Sequence, residues 1–171
     1  NMPNYKVIDG ALRLQPREGV AGTAAHGRHV ALVAARFNAD IVDAMVVGAQ
    51  AAWLRQGGDP GSLLLVRVPG AFELPLAARK LAASGRYDAV IALGCVIRGD
   101  TAHFDFVAGE AARGIADAAR DTGVPVIFGV LTTENVEQAV ERASPARMDK
   151  GGEAMEAALE MSLVLADIAS P

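Results

Sequence analysis

Cysteine occurs once in these 171 residues, as Cys95. A single thiol excludes an internal disulfide and any site built from several thiolates of one chain. Standing at the end of an apolar run, it reads as a buried structural thiol. Aromatic residues make up only 5% of the chain, so Ala, Val, Leu and Ile have to build the interior. Positive charge is not in excess: 16 Lys and Arg face 20 Asp and Glu, for a net charge of −4. That balance argues against nucleic acid or an anionic membrane as a partner. No apolar run approaches the length of a membrane span. No signal peptide is visible, and the cytoplasm is the expected compartment. There is no G-x-G-x-x-G after the first candidate strand and no G-x-x-x-x-G-K-[ST] anywhere, which leaves a dinucleotide site or a P-loop without support.

What is present is an alternation of apolar runs and helical patterns. The length suits one domain with a substantial core, and 51% of the residues are hydrophobic with eighteen glycines. Residues 1–28 form the least regular segment. Tyr5-Lys6-Val7-Ile8 can be a short strand, but Pro16, Gly19, Gly22 and Gly27 interrupt any longer pattern. Such an arm is either disordered or pinned to a partner, and His26 and His29 read as surface residues. A single domain over residues 29–171 begins with the strand Val30–Ala34. A helix capped by Asp40 or Asn38 follows to about Gln56. The second strand is Leu63–Val68, with a helix from Leu74 to Ala83. The third strand is Ala89–Leu93, with a helix from about Asp105 to Thr122. The fourth strand is Val124–Leu131, with a helix capped by Thr132 or Thr133 to about Ala143. Ser144–Gly152 reads as a loop before a last helix, Glu153–Ala169. Strands alternating with helices predict a four-stranded parallel sheet in a three-layer α-β-α sandwich. Between Ile41 and Leu54 the strongly polar residues are Asp43 and Gln50, so this helix is apolar around nearly its whole circumference. A sheet covers one side, and a second subunit is expected on the rest.

Three loops should meet at the carboxyl edge of that sheet, where α/β folds place ligands. They carry Arg36-Phe37-Asn38, then Pro69-Gly70-Ala71-Phe72-Glu73, then Val96 through Asp105. Phe37 is either a stacking face for a flat ring or simple core. Glu73 is either a hydroxyl-binding carboxylate or a first-turn helix charge. Gly99 permits an unusual backbone angle or a close approach to a ligand. Asp100 and Thr101 lie near a helix start, which favours anions. His103 belongs to the one residue type suited to trading protons near neutral pH.

Those loops, together with Gly94–Asp105, Gly123–Asn135 and Glu141-Arg142-Ala143, resemble the signature segments of the lumazine synthase family, in register from about Val30 to Ala166. The resemblance implies a flavodoxin-like fold and a transferase of riboflavin biosynthesis. Its reaction condenses 5-amino-6-(D-ribitylamino)uracil with 3,4-dihydroxy-2-butanone 4-phosphate, without metal or organic cofactor, to give 6,7-dimethyl-8-ribityllumazine, the penultimate intermediate. It further implies that Phe37 stacks on the pyrimidine, that Ala71, Phe72 and Glu73 hold the ribityl chain, and that Cys95, Val96 and Ile97 offer backbone groups to the uracil. Asp100 and Thr101 would cradle the phosphate and His103 would move protons. Arg142 would bind the phosphate, Phe128 would lie over the ring and Lys150 would reach the ribityl chain. The implied assembly is a homopentamer closing into a sixty-subunit shell, with riboflavin synthase as a companion and neither nucleic acid nor membrane as a partner. The short loop before the last helix favours the shell, although Ser144-Pro145 and Met148-Asp149 stand where shell formers commonly have Gly and Asn.

Topology adds a point of its own. The helix that ends near Arg142 starts at the carboxyl edge and runs back across the sheet, so Arg142 and His103 should lie at opposite edges of one chain. A site using both must span two subunits. A non-catalytic homologue would keep the fold without turnover, and a flavodoxin-like module for a phosphorylated flavin would not need this pair.

Overall fold

The computed structural model describes residues 5–8, 11–14 and 22–170. Tyr5–Ile8 (β1) is the expected strand, and it pairs antiparallel with Ala11–Leu14 (β2), which the residue pattern had not marked. Pro16, Gly19 and the question of what holds the arm lie outside the described residues.

The central sheet is parallel throughout, in the order β4-β3-β5-β6. Its strands are Val30–Ala35 (β3), Leu63–Val68 (β4), Ala89–Ile97 (β5) and Val126–Thr133 (β6). β3 is buried along its whole length, as a central parallel strand covered on both faces must be. Helices Ala39–Arg55 (α1), Val136–Ala143 (α4) and Lys150–Ala169 (α5) cover one face, packing Met45, Trp53, Met155 and Leu159 on Leu32, Ile91 and Leu93. Helices Leu74–Ala83 (α2) and His103–Thr122 (α3) cover the other, packing Leu74, Ala78, Ala111 and Ile115 on Val33, Val90 and Ala92. This is the expected three-layer α/β sandwich.

Residues 22–29 are tied to this body. Ala25 is buried beside the α1 core, its N–H donates to the Gln56 carbonyl at 3.0 Å, and the His29 N–H donates to Asp88 Oδ2 at 2.8 Å. His26 and His29 are exposed.

Several element boundaries differ from the sequence expectation. β5 runs four residues past Leu93, so Cys95, Val96 and Ile97 are strand rather than loop. α3 starts at His103, two residues early. β6 continues through Thr132 and Thr133, because β-branched residues suit a strand. α4 is instead capped by Asn135, whose side chain accepts the Gln138 N–H at 2.8 Å. α5 begins at Lys150, capped by Asp149, which accepts the Gly152 N–H at 3.2 Å.

The glycines of that first turn decide what covers α1. A Cβ at Gly151 would collide with the Met45 carbonyl, and one at Gly48 would collide with Asp149 and sit 3.2 Å from the Gly152 nitrogen. The two helices therefore touch backbone to backbone. α5 thus packs on a side of α1 that the residue pattern assigned to a second subunit. Val47 and Leu54 remain, 56% and 52% exposed, on the outer face.

Candidate active site

Three loops converge at the carboxyl edge because the ladder brings their strands there in register, Ala35 opposite Val68 and Leu93 beside Ala34. Main-chain bonds stitch them together. Arg36 N–H donates to the Val68 carbonyl at 2.8 Å and Phe37 N–H to the Pro69 carbonyl at 3.1 Å. Asn38 takes a left-handed backbone, φ 59° and ψ 44°, a conformation Asn tolerates better than most. Its side-chain amide donates to the Cys95 carbonyl at 2.9 Å. That contact fixes the Phe37 loop against β5 and caps the exposed side of the strand where β3 has ended.

Phe37 is 71% exposed, which removes the core reading and leaves a ring face open at the mouth. Ala71 to Glu73 form a short 3-10 turn with Ala71 buried and Phe72 58% exposed. Glu73 precedes Leu74 without capping α2 through its side chain, and its carboxylate lies over Gly70. Cys95 is buried, and burial pushes its thiol up to about 11, in keeping with a structural role. In β5 successive residues turn their main-chain groups to alternate sides. Arg98 N–H goes to the Thr133 carbonyl on the β6 side at 2.8 Å, and the Cys95 carbonyl turns the other way to Asn38. Ile97 shares the Cys95 side, beyond the end of β3, so its N–H and C=O face the open mouth.

Residues 98–102 then lead into α3. Gly99 is not left-handed, and a Cβ there would meet nothing within 4 Å, so its lack of a side chain leaves open space rather than relieving strain. Asp100, Thr101 and His103 are exposed at the helix start. Thr101 Oγ1 accepts the His103 N–H at 3.3 Å. A twenty-residue helix opening here presents the positive end of its dipole, although the Asp105 N–H is already held by the Ala102 carbonyl at 3.0 Å.

Phe128, Arg142 and Lys150 are brought together elsewhere. They line a groove of about 440 Å³ beside β6, with Met45, Thr132 and Glu153 among its walls. None of the carboxyl-edge residues Phe37, Phe72, Glu73 or His103 lines it. Phe128 is 45% exposed. Arg142 Nη1 donates to the Gln138 carbonyl at 3.1 Å, and Lys150 pairs with Glu153 at 2.9 Å. One chain thus carries two separate clusters, each open to solvent and each holding part of a polar set. Sequence reasoning gave no role to Asn38 as a brace, to Glu153, or to Arg98 with its partners Asp105 and Glu134. Their signal was spacing across loops whose approach only the fold reveals. Among the described residues no three His, Cys, Asp or Glu side chains gather closely enough to hold a metal ion, and no helix is long and apolar enough to cross a membrane.

Residues 27–166 match the family model described as 6,7-dimethyl-8-ribityllumazine synthase. The chain is similar to proteins of that name from several bacteria. It is 54% identical to that of Nitratidesulfovibrio vulgaris strain DP4 over 141 residues, 82% of this chain and 90% of the relative. It is 47% identical to that of Campylobacter curvus over 156 residues, 91% and 94% of the two chains. It is 49% identical to that of Chlorobium phaeovibrioides over 150 residues, 88% and 96%.

Proposed function

The chain belongs to the 6,7-dimethyl-8-ribityllumazine synthase family, and on that premise we propose how its residues divide the work. It is a transferase of riboflavin biosynthesis that condenses 5-amino-6-(D-ribitylamino)uracil with 3,4-dihydroxy-2-butanone 4-phosphate. The reaction releases one phosphate and two waters. The amine attacks the ketone and water leaves to give an imine. Phosphate is then eliminated, the ring closes onto the ribityl-bearing nitrogen, and a second water departs.

The observation that carries the site assignment is the separation of two incomplete clusters on one chain. The carboxyl-edge cluster offers a ring face (Phe37), a carboxylate beside a small-residue turn (Ala71, Phe72, Glu73), and open main-chain groups at Ile97, with Cys95 and Val96 setting the strand. These suit a flat heterocycle bearing a polyol. Its helix entrance at Asp100 and Thr101 suits a phosphate dianion, and His103 stands beside it to take and return protons. What this entrance lacks is a cation left free for the phosphate, since Arg98 is paired there with Asp105 and Glu134. The β6 groove supplies one in Arg142, whose forked donors match phosphate geometry. It also supplies a second ring in Phe128 and an ammonium in Lys150 for the ribityl hydroxyls. A neighbouring copy that docks its β6 groove on this carboxyl edge completes the set.

Four of the five phenylalanines, Phe37, Phe72, Phe106 and Phe128, are exposed on the single chain. Exposed apolar surface of that kind favours burial between subunits. We read the assembly as a cytoplasmic homopentamer closing into a sixty-subunit shell, with riboflavin synthase as a companion; the six-residue connection Ser144–Asp149 supports the shell. Most of the rate gain comes from holding two flexible substrates together. The direct test supplies both substrates and follows lumazine absorbance together with the mass by light scattering. Turnover with a mass five times that of the 17.7 kDa chain, or a multiple of that, supports the reading. Turnover by a monomer contradicts the shared site.

A further inference from the structure

Arg98 leaves β5 at the mouth of the site with an unusually committed guanidinium. Its Nε donates to Glu134 Oε2 at 2.8 Å, its Nη1 donates to Asp105 Oδ1 at 3.4 Å, and its Cζ lies 4.3 Å from the centre of the Phe104 ring. The contacts do not stop at Glu134. The Glu134 N–H donates to Gln138 Oε1 at 2.9 Å, and the Gln138 carbonyl accepts from Arg142 Nη1 at 3.1 Å. Hydrogen bonds made by different atoms of Glu134 and Gln138 therefore link, residue to residue, the first turn of α3, which carries His103 and Asp105, to Arg142 at the end of α4. None of the substrate-facing roles above uses Arg98.

We propose that Arg98 is a positioning residue for the condensation, bracing the phosphate entrance of α3 against α4 of the same chain, whose Arg142 serves the neighbouring site, while offsetting part of the charge of Asp105 and Glu134. This rests on the reading that the phosphate binds at that entrance. The carboxylates of Asp105 and Glu134, in addition to Asp100 at the entrance itself, oppose a dianionic substrate. The guanidinium between Asp105 and Glu134 offsets one of their two charges, and its fork fixes the two loops in a way a point charge does not. Stacking on Phe104 limits its freedom further. Arg98 touches no reacting atom, so its influence has to appear through the binding of the phosphate-bearing substrate.

The test uses the assembled protein with Arg98→Met, Arg98→Lys, and Arg98→Met combined with Glu134→Gln. KM is measured for each substrate, with thermal stability and assembly mass as controls. Surface pairs of this exposure are individually modest, so Arg98→Met raises KM for the butanone phosphate by about fivefold. KM for the ribitylaminouracil stays near its original value. Lysine gives an intermediate KM, and adding Glu134→Gln recovers part of the loss by removing an uncompensated carboxylate. Equal rises in both KM values, or no rise in either, overturn the proposal. Arg142→Ala in the same assay separates the two levels. If it raises the phosphate KM while Arg98→Met does not, the positioning role alone fails. If Arg142→Ala also leaves that KM unchanged, the site reading fails and the proposal falls with it.

Discussion

At the scale of single residues, three side chains carry distinct consequences. His103 stands exposed at the start of α3, next to the entrance assigned to the phosphate. His103→Ala is expected to slow turnover by about 10²–10⁴-fold without abolishing it, the usual worth of general acid–base help. Steady-state absorbance checks this, and unchanged kinetics removes His103 from the mechanism. Arg142→Ala is expected to weaken chiefly the phosphate-bearing substrate, and equal weakening of both substrates contradicts its assignment. Cys95 gives a pH signature of a different kind. Burial raises its thiol from 9.0 to about 11, so the folded state holds the proton after the unfolded chain has released it. This contribution to stability is complete below pH 9 and is lost as pH rises toward 11. Cys95→Ser or Cys95→Ala, followed by chemical unfolding at pH 8 and pH 10.5, should flatten that part of the pH dependence.

At the scale of elements, the α1–α5 contact is where the fold is least forgiving. Gly151 and Gly48 let two helices meet at backbone distance, and no side chain fits between them. Gly151→Ala should cost about 3 kcal/mol, the upper range for overpacking. In a chain of this size that lowers Tm by roughly 10 °C, read by calorimetry; an unchanged Tm contradicts the packing described. The same pair shows what the sequence can and cannot disclose. Strand and helix order, and the bounds of β4 and α2, were legible because apolar runs and helical periods are local properties. Gly151-Gly152 looked like a break because glycine disfavours helices locally, while the reason for its presence is Met45, more than a hundred residues away. Thr132 and Thr133 looked like caps because their hydroxyls can cap, but pairing with Val96 and Ile97 in the sheet outweighed that. β2 is not legible in the residue pattern, because a four-residue run such as Ala11–Leu14 is too short to show a period. The carboxyl-edge residues were legible as a cluster, because in a parallel sheet strand ends share an edge. The brace from Asn38 to Cys95 and the run from Asp105 to Arg142 were not, because they join loops by side-chain reach that spacing alone does not encode.

At the scale of the whole molecule, the polar and aromatic groups fall into two sets. One chain carries a helix entrance, a histidine and two exposed rings on one edge, and an arginine, a lysine and a third exposed ring in a groove along another. Either set alone lacks something the condensation needs. Exposed Val47 and Leu54 on α1, with Leu64 and Leu65 partly exposed on the edge strand β4, show that apolar surface also remains beyond the two clusters. The most direct measurement of the shared site is complementation between two crippled chains. His103→Ala and Arg142→Ala subunits are co-expressed in equal amounts, and turnover of the mixed assembly is compared with that of each parent. If each site draws its histidine from one copy and its arginine from the next, random mixing rebuilds an intact site at about a quarter of the interfaces. Activity should then rise to roughly a quarter of the unmodified protein's, well above either parent. Activity no greater than the mean of the two parents would show that both residues serve one chain, and would contradict the account.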